Sequence, residues 1–397
     1  MKNRKIAFWH RYGPSGHTST CHSIPHIIRK LHECGVEVHY FGLKDGRAVP
    51  EMMKASCVVH YLPFRINRSS TASKLFSTLF WYAALPALAL RCRLMKMDAV
   101  FWDETLPWGA LITRIFYGRK ICITVADFFL TIYSEQHPGW RKLCDMLQQV
   151  DYRTWRKLPL IFTKVNYTQT FLAKQGVNPG SICCAYNPCD TTLYCPGDRN
   201  AARNKFGLAA DDFVVVHHGV LHPNKGNDRI IHAMADLKEE LPNLKYLLVG
   251  SGPEMNRLKS LCDELNMTGR VIFTGWLPTE QDVVEAIRTA DAGLVMRIGQ
   301  FSDNFHVTDT LSHEMACGLP ILAARLKGVE ELVKENETGL LFDPNDMAGF
   351  KSQLIRMVNQ KELRVKMGAQ ARAKSVEAFD IETISSRMAN ALLSLAG

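Results

Sequence analysis

The chain contains 397 residues, of which 47% are hydrophobic and 22% are charged, and its formal net charge is +9. This composition is that of an ordinary globular protein, without a low-complexity segment or internal repeat, and the length suffices for two domains. The twelve cysteines form no CxxC pair, which excludes a disulfide scaffold and predicts buried thiols in a reducing cytoplasm.

The first residues, MKNRKIAFWHRYG, are basic but carry an apolar run of only three residues. A secretory signal needs a longer apolar region, so this segment predicts a first strand. We therefore expect a cytoplasmic protein.

Positive charge is concentrated in the first half of the chain. Residues 1–198 contain 25 Lys and Arg against 13 Asp and Glu, a net charge of +12, whereas residues 199–397 contain 23 against 26, a net charge of −3. A basic half beside a nearly neutral half favours an anionic partner. Because the basic residues are dispersed and no nucleic-acid motif is present, we expect an anionic membrane surface and no nucleic acid.

Residues 65–96 have the composition of a helix at a membrane surface. Their 16-residue apolar stretch, LFSTLFWYAALPALAL, contains Pro86 and lies between two groups of Lys and Arg. It is shorter than the about 20 residues that cross a bilayer, but its aromatic and cationic residues suit a helix on the inner face of a membrane. A helix that covers the core of an α/β domain would have the same pattern, so both interpretations stay open.

Apolar strands alternate with amphipathic stretches along the first half, which predicts a parallel α/β sheet. A helix over residues 22–34 ends at Gly35, a natural C-cap. The carboxyl ends of parallel strands line one crevice, so the polar residues that follow the strands should meet there. The strands are predicted at residues 5–9, 37–43, 58–62, 99–102, 121–125 and 160–166.

Two kinds of candidate site lie at these strand ends. Gly16 closes a glycine loop over residues 13–16, whose N–H groups could hold a phosphate or sugar, although many first βα loops contain glycine. Asp103 and Asp127 follow the fourth and fifth strands. Each is either a functional carboxylate or a cap of the next helix.

The second half begins a new series of strand–loop–helix units. Lys225 lies in the loop from Gly219 to Gly226, between a strand at 213–217 and a helix, where unpaired N–H groups, the helix dipole and an ammonium favour a phosphate. Further candidates follow the strands predicted at 246–249, 270–274 and 292–296: Gly250 and Gly252, Gly275 with Trp276 and Leu277, and Arg297.

Glu314 lies in the segment HEMACGLPILAARLKG. The pattern predicts a short helix, a Gly-Leu-Pro turn and a strand at 321–324. This order places a carboxylate at the mouth of a parallel sheet, where small polar ligands bind.

Six segments in this order resemble family 4 of the retaining glycosyltransferases of GT-B fold, the group 1 glycosyl transferases. They are NPCDTTLYCPGD (187–198), HGVLHPNKG (218–226), LLVGSGPE (247–254), VIFTGWLP (271–278), HEMACGLPILAARLKGVEELV (313–333) and TGLLFDPND (338–346).

The resemblance implies an α/β fold of two Rossmann-like, doubly wound parallel-sheet domains that face a central cleft. It implies an acceptor-binding domain over residues 1–198, a nucleotide-sugar-binding domain over 199–375, and a helix over 376–397 that returns to the first domain.

The resemblance also implies a reaction: a hexosyltransferase-like enzyme moves a sugar from a nucleotide diphosphate sugar to a hydroxyl of a glycan or lipid-linked acceptor, with retention. We expect this in the synthesis of a cell-envelope polysaccharide or glycolipid. The nucleotide sugar is a substrate and no cofactor is expected. The chain contains no DxD motif, which agrees with a metal-independent enzyme.

The resemblance assigns roles to residues of the second half. Lys225 matches the lysine that binds the diphosphate, and Glu314 matches the glutamate that accepts the ribose hydroxyls. Backbone around Gly250 and over 274–277 matches the base pocket, and the N–H groups near Ser312 and His313 could add to diphosphate binding. Metal binding by His306, His313, Glu314 and Cys317 is rejected, because Glu314 already has a role.

Three positions depart from the family pattern. Val220 follows Gly219 where an arginine is usual, and Arg297 is the candidate that replaces its diphosphate contact. His306 stands where a glutamate normally touches the transferred sugar. The first-domain histidine near the sugar is absent, and Asp103 and Asp127 occupy these strand ends. The alternatives are an inactive nucleotide-sugar-binding protein and a nucleotide-sugar 2-epimerase.

Overall fold

The computed structural model describes residues 4–14, 23–67, 70–118 and 120–397. The chain divides into two compact units. The first unit comprises Met1–Pro188 and Ile381–Gly397, and the second comprises Cys189–Asp380. Gly16 lies outside the described residues, so its predicted role has no structural counterpart here.

Strands and helices alternate along most of the chain, and three consecutive helices end it. The strands are β1 (Lys5–Trp9), β2 (Glu37–Lys44), β3 (Val58–Arg65), β4 (Ala99–Trp102), β5 (Ile121–Val125), β6 (Leu160–Thr163), β7 (Ile182–Cys184), β8 (Phe213–His218), β9 (Leu244–Val249), β10 (Val271–Gly275), β11 (Ala292–Val295), β12 (Ile321–Ala324) and β13 (Gly339–Phe342).

The α-helices vary from one turn to more than six. They are α1 (Ile24–Glu33), α2 (Glu51–Lys54), α3 (Thr71–Leu94), α4 (Gly109–Tyr117), α5 (Phe129–Gln136), α6 (Arg141–Trp155), α7 (Asn166–Lys174), α8 (Arg199–Phe206), α9 (Asn227–Asp236), α10 (Met255–Glu264), α11 (Glu280–Arg288), α12 (Asp309–Ala316), α13 (Lys327–Glu330), α14 (Met347–Asn359), α15 (Lys361–Phe379) and α16 (Ile381–Ala396).

Each unit is built on one parallel sheet. The described residues of the first unit form seven strands in the order β3-β2-β1-β4-β5-β6-β7, and those of the second form six in the order β10-β9-β8-β11-β12-β13. Strands such as β5, with the sequence ICITV, are buried along their whole length. A parallel strand covered on both faces needs such a continuous apolar run. The predicted α/β class with two Rossmann-like parallel sheets is confirmed.

Several predicted strand limits shift by one to three residues in the structure, and one strand was not predicted. The strand predicted at 160–166 ends at Thr163, where its register with Cys184 of β7 also ends, and α7 begins at Asn166. The three-residue strand β7 was not predicted, since three residues are too few for a periodic pattern.

The observed limits of the units differ from the predicted boundaries at 198 and 375. The N–H of Cys189 donates to Phe379 O at 2.7 Å, and Thr191 Oγ1 donates to Asp380 Oδ1 at 3.1 Å. The segment from 189 therefore bonds within the second unit. Residue 375 lies inside α15, whose continuous hydrogen-bonded backbone runs to Phe379.

Helix α16 packs on the first unit through an apolar face and a cluster of charges. Ile384, Met388 and Leu392 are buried in the same core as β1 and α1. Glu382 accepts from Arg29 of α1 at 2.8 Å, and it also pairs with His26 and Lys30. These donors lower the pKa of Glu382 to about 2 although burial opposes them.

Helix α3 buries one face in the first unit and exposes apolar side chains elsewhere. A stripe that includes Ser77, Trp81 and Leu85 is fully buried, so the helix covers the core. Other apolar side chains of the same helix are exposed, among them Phe76 and Leu79. By length and composition alone Ala72–Leu94 could cross a membrane, and one third of its most apolar window is buried. One such helix is weak evidence for a membrane span.

Candidate functional site

The Glu314 carboxyl group is enclosed within the second unit. Glu314 is fully buried in α12, and within the described residues neither carboxyl oxygen has a hydrogen-bond partner. A Cβ at Gly293 of β11 would lie 2.3 Å from Glu314 Oε2, so the carboxyl group occupies the space that this glycine leaves open. Burial raises the pKa of Glu314 well above its ordinary value, and the Lys225 charge opposes this shift. A buried, unsatisfied carboxyl group is costly and indicates a ligand contact.

Lys225 is held by the tight loop between β8 and α9. Pro223–Lys225 forms one turn of 3-10 helix, and Gly226 follows with φ of +59°, a left-handed conformation that glycine adopts easily. Lys225 is half-buried. Among the described residues no carboxylate lies within 4.0 Å of its ammonium. In this described part of the chain the cation therefore has no direct counter-ion.

Electrostatics place Lys225 in one cluster with other predicted site residues. Burial lowers the pKa of Lys225 to about 7, and the Arg297 charge lowers it further, while Asp303, Asp309 and Glu314 raise it. An anionic ligand would stabilise the charged form of this desolvated ammonium. The structure thus brings Lys225, Arg297 and Glu314 within electrostatic reach of one another.

Arg297 has a protein partner of its own. Its Nη1 donates to Asp303 Oδ1 at 2.9 Å, and Asp303 Oδ2 accepts from the N–H groups of Gly299 and Gln300. The pair is almost fully buried, and Arg297 Nε has no hydrogen-bond partner within the described part of the chain. Arg297 is therefore fixed in position by Asp303.

His306 follows the 3-10 turn Phe301–Phe305. Burial lowers its pKa to about 3, with further lowering by Arg297 and Lys225. The imidazole is therefore neutral at pH 7 and adds no negative charge to the cluster.

The glycines predicted to approach a ligand are instead close to the backbone of this protein. A Cβ at Gly250 would lie 2.1 Å from Gly219 O, and a Cβ at Gly252 would lie 2.3 Å from Leu221 O. Their small size is thus required by packing between neighbouring loops. Gly275 has φ of +68° with open space at its Cβ position.

The residues after Gly275 are accessible from solvent. Trp276 is 64% exposed, and Leu277 is half-buried. An exposed indole is available to a planar ligand.

The predicted diphosphate contact through Ser312 and His313 N–H groups is corrected. Helix α12 begins at Asp309, so Ser312 and His313 lie beyond the first turn, where N–H groups bond within the helix. Ser312 Oγ donates to Asp309 O at 3.1 Å, and Ser312 O accepts from Ser375.

Two histidines that end β8 were not predicted as site residues. His218 stacks at 5.1 Å on His313, which stacks at 3.7 Å on Tyr194. His217 Nδ1 lies 3.0 Å from Leu294 O, and burial lowers the pKa of both β8 histidines to about 3. The signal was present in the sequence, because two adjacent histidines directly precede Gly219.

The first unit holds a separate pocket of about 210 Å³ at the carboxyl ends of β1, β4 and β5. Asp103 and Asp127 both line it, beside His10, Tyr12 and Phe129. Asp103 is 3% exposed, its Oδ1 accepts from Thr124 Oγ1 at 2.5 Å, and its Oδ2 has no hydrogen-bond partner among the described residues. Burial raises the pKa of Asp103. The structure therefore brings the two predicted carboxylates to one pocket.

No group of three His, Cys, Asp or Glu side chains that could hold a metal ion occurs in the part of the chain that the structure describes. His313 is occupied by the ring stack and Glu314 lies in the interior of the second unit.

Sequence comparison identifies a family signature in the second unit. The model of the family described as Glycosyl transferases group 1 matches residues 198–374. The N-acetyl-alpha-D-glucosaminyl L-malate synthase of Bacillus anthracis is 27% identical over 228 residues, 57% of this chain and 58% of that protein. The D-inositol 3-phosphate glycosyltransferase of Corynebacterium efficiens is 32% identical over 203 residues, 49% of this chain and 46% of that protein. The chain spans about half the length of the curated relatives it matches.

Structural comparison extends over nearly the whole chain. HepE of Anabaena in complex with UDP has a TM-score of 0.73 at 19% identity and covers 98% of this chain and 100% of its own. A sucrose-phosphate synthase from Thermosynechococcus elongatus has a TM-score of 0.78 at 19% identity, over 99% of both chains. At this identity the likeness shows the fold. The resemblance that the motifs predict is therefore confirmed: residues 198–374 match the group 1 glycosyl transferases, and the two parallel-sheet units have the GT-B fold.

Proposed function

We propose that the protein is a metal-independent, retaining glycosyltransferase that moves a sugar from a nucleotide diphosphate sugar to an acceptor hydroxyl. The observation that carries this proposal is Lys225, a half-buried cation without a direct counter-ion, within electrostatic reach of the buried Glu314. A diphosphate supplies the charge that Lys225 lacks, and a ribose supplies the hydroxyls that Glu314 lacks.

The reaction breaks the bond between the anomeric carbon of the donor sugar and a diphosphate oxygen. Negative charge then grows on the diphosphate, and the Lys225 ammonium stabilises it more in the transition state than in the ground state. The new bond joins the anomeric carbon to the acceptor oxygen, whose proton leaves. Retention means that the acceptor enters on the face from which the diphosphate leaves.

The nucleoside end of the donor has its own contacts. A carboxyl group can engage both ribose hydroxyls at once, which suits Glu314. The loop that ends at Gly275 exposes Trp276, which offers a planar face to the base. Solved structures of HepE contain UDP and UDP-glucose, and this supports a UDP-sugar as the first donor to test. No cofactor takes part, because the nucleotide sugar is itself the donor.

A screen of nucleotide sugars tests the proposal directly. UDP-glucose, UDP-N-acetylglucosamine, UDP-galactose and GDP-mannose are incubated with the protein, and release of the nucleoside diphosphate is measured. Lys225→Ala should reduce the turnover by ~10²–10³-fold, the range for loss of one preorganised charge donor. The matched control is Lys351→Ala, since Lys351 pairs with Asp236 on the surface. Equal turnover of wild type and Lys225→Ala would remove the diphosphate role.

An inactive nucleotide-sugar-binding protein is the second candidate function. It is favoured by His306, which is neutral at pH 7 where a carboxylate is usual, and by Arg297, which already pairs with Asp303. Nucleotide binding without release of diphosphate, with every donor and with or without acceptors, would establish this candidate.

For the acceptor we propose a glycan or lipid-linked hydroxyl compound, bound in the first unit near Asp103 and Asp127, in cell-envelope polysaccharide or glycolipid synthesis. Residues 1–198 carry a net charge of +12, and Phe76 and Leu79 expose apolar surface on α3. Such a surface suits a cytoplasmic protein that binds the inner face of an anionic membrane peripherally.

Vesicle sedimentation at low salt tests the membrane proposal. Wild type should sediment with vesicles that contain phosphatidylglycerol, and Phe76→Ser with Leu79→Ser should sediment less. Val365→Ser is the matched control, because Val365 is equally exposed on α15 in the second unit. Wild type that stays in the supernatant would exclude this membrane contact.

A further inference from the structure

Lys164 is a buried cation that the proposed donor chemistry does not use. It follows directly after β6 and is 5% exposed. Within the described residues it forms no hydrogen bond and no ion pair closer than 4.0 Å. Lysine is among the side chains that are least often buried, and the ammonium of Lys164 keeps some contact with solvent, because it is not one of the fully buried nitrogens without a partner.

The register of the first sheet places Lys164 on the same face as Asp103. Thr124 of β5 pairs with Phe162 of β6, and side chains alternate between the two faces along a strand. Lys164, two residues after Phe162, therefore lies on the face of Thr124, whose hydroxyl donates to Asp103. Lys164 is also the charge that most strongly opposes the raised pKa of Asp103.

Asp103 lines the pocket of about 210 Å³ described above, and its buried Oδ2 atom has no hydrogen-bond partner among the described residues. Drug-sized ligands occupy ~300–1,000 Å³, so this pocket suits a single sugar ring or a smaller polyol. Phe129 is exposed at the pocket and offers an apolar face to such a ring. Lys164 does not line the pocket, so its effect on a ligand passes through Asp103.

We propose that Asp103 binds a hydroxyl group of the carbohydrate acceptor through its unpartnered Oδ2 atom, and that Lys164, on the same face of the sheet, is a positioning residue for this carboxyl group. A hydroxyl group fits because it donates to a carboxylate, whereas a second anion would be repelled. This inference rests on the proposed function in one respect, namely that the ligand with the hydroxyl group is the acceptor of the transfer reaction. The hydroxyl subsite and the Lys164 effect are properties of the first unit.

Other groups also act on Asp103. His10, at the end of β1, lowers its pKa, and the adjacent Glu104 raises it. Glu104 itself pairs with Arg11 at 3.3 Å. Lys164 differs from these groups because it has no direct partner. Removal of its charge should therefore change the ionisation of Asp103 most clearly.

The test follows the Asp103 carboxyl carbon by NMR in protein labelled with ¹³C at aspartate Cγ, with Asp103→Asn to assign the signal. Methyl α-D-glucopyranoside and glycerol are the hydroxyl probes. In wild type the signal should titrate with pH and should move in a saturable way when methyl glucoside or glycerol is added. In Lys164→Met its midpoint should rise by about one pH unit or more, the effect of one nearby opposite charge. Lys164→Arg should restore the wild-type midpoint.

Each result has a stated meaning. An unchanged Asp103 midpoint in Lys164→Met, or in Lys164→Gln if the methionine variant does not fold, overturns the positioning role. A wild-type Asp103 signal that neither probe moves overturns the hydroxyl subsite. Affinity for UDP should be the same in wild type and the Lys164 variants. If UDP does not bind to the wild type, that result counts against the proposed function. The hydroxyl subsite and the role of Lys164 are then still decided by the two NMR measurements.

Discussion

An increase in pH from 7 to 8.5 should weaken the binding of UDP, because Lys225 loses its charge over this interval. Its burial and the Arg297 charge lower the pKa of Lys225 to about 7. About half of the ammonium is therefore charged at pH 7 and roughly 3% at pH 8.5. A phosphate with its second pKa near ~6 is already ionised over the whole range.

The direction of this effect follows from proton linkage. A bound diphosphate gives Lys225 the counter-charge that the free protein lacks, so the complex has the higher Lys225 pKa and binding takes up a proton. Affinity is then constant below the free pKa of about 7. Above it, affinity falls by about ten-fold per pH unit until the pKa of the complex is reached.

Titration calorimetry of UDP at half-unit steps from pH 6.5 to 8.5 measures this dependence. Repeating it in buffers of different ionisation enthalpy counts the protons taken up. Lys225→Arg is the matched control, because a guanidinium stays charged in this range and should give a flat profile. The reasoning is refuted if wild-type affinity is constant between pH 7 and 8.5, or if Lys225→Arg shows the wild-type slope.

Further predictions concern the packing around the site. Glu314→Met removes unpartnered carboxyl oxygens that cost about 1–3 kcal/mol, so the unfolding temperature should rise while calorimetry shows weaker UDP binding; a lower unfolding temperature with unchanged affinity would contradict this. Gly293→Ala places a Cβ 2.3 Å from Glu314 Oε2, and should lower both UDP affinity and thermal stability, whereas wild-type behaviour would show that the carboxyl group relocates freely. Arg203→Met breaks the buried 2.7 Å pair with Asp291, but Asp291 keeps its 2.6 Å pair with Arg199, so the loss in denaturant unfolding should be smaller than the ~3–5 kcal/mol of an uncompensated buried charge; a loss of that full size would show that Arg199 does not compensate.

The sequence predicted the strands well because buried parallel strands are continuous apolar runs. Lys5–Trp9 and Ile121–Val125 begin and end as predicted. The same rule led us to overlook Lys164. The sixth strand was predicted to run to residue 166, and in such a strand Lys164 would be an interior residue. A lysine inside an otherwise apolar stretch was the available signal, and the end of pairing with β7 was needed to interpret it.

Motifs located Glu314 and Lys225 but could not describe their environments. The burial of Glu314 depends on Gly293, a residue of β11 that no motif contains. The position of Ser312 within α12 depends on where that helix begins, and helix limits are poorly determined by sequence. The stack of Tyr194 on His313 joins residues far apart in the chain, and only tertiary structure brings them into contact.

The pairing of Cys189 with Asp380 has a consequence for chain topology. The two ends of the second unit are hydrogen-bonded neighbours, with Cys189 N–H on Phe379 O and Thr191 on Asp380. The second unit is therefore inserted into the chain of the first unit, and its first and last residues are neighbours in space. A domain with neighbouring ends can be inserted into another protein. A fragment of residues 189–380 would retain Lys225, Arg297 and Glu314 together, and could bring nucleotide recognition to a scaffold that accepts a loop at one position.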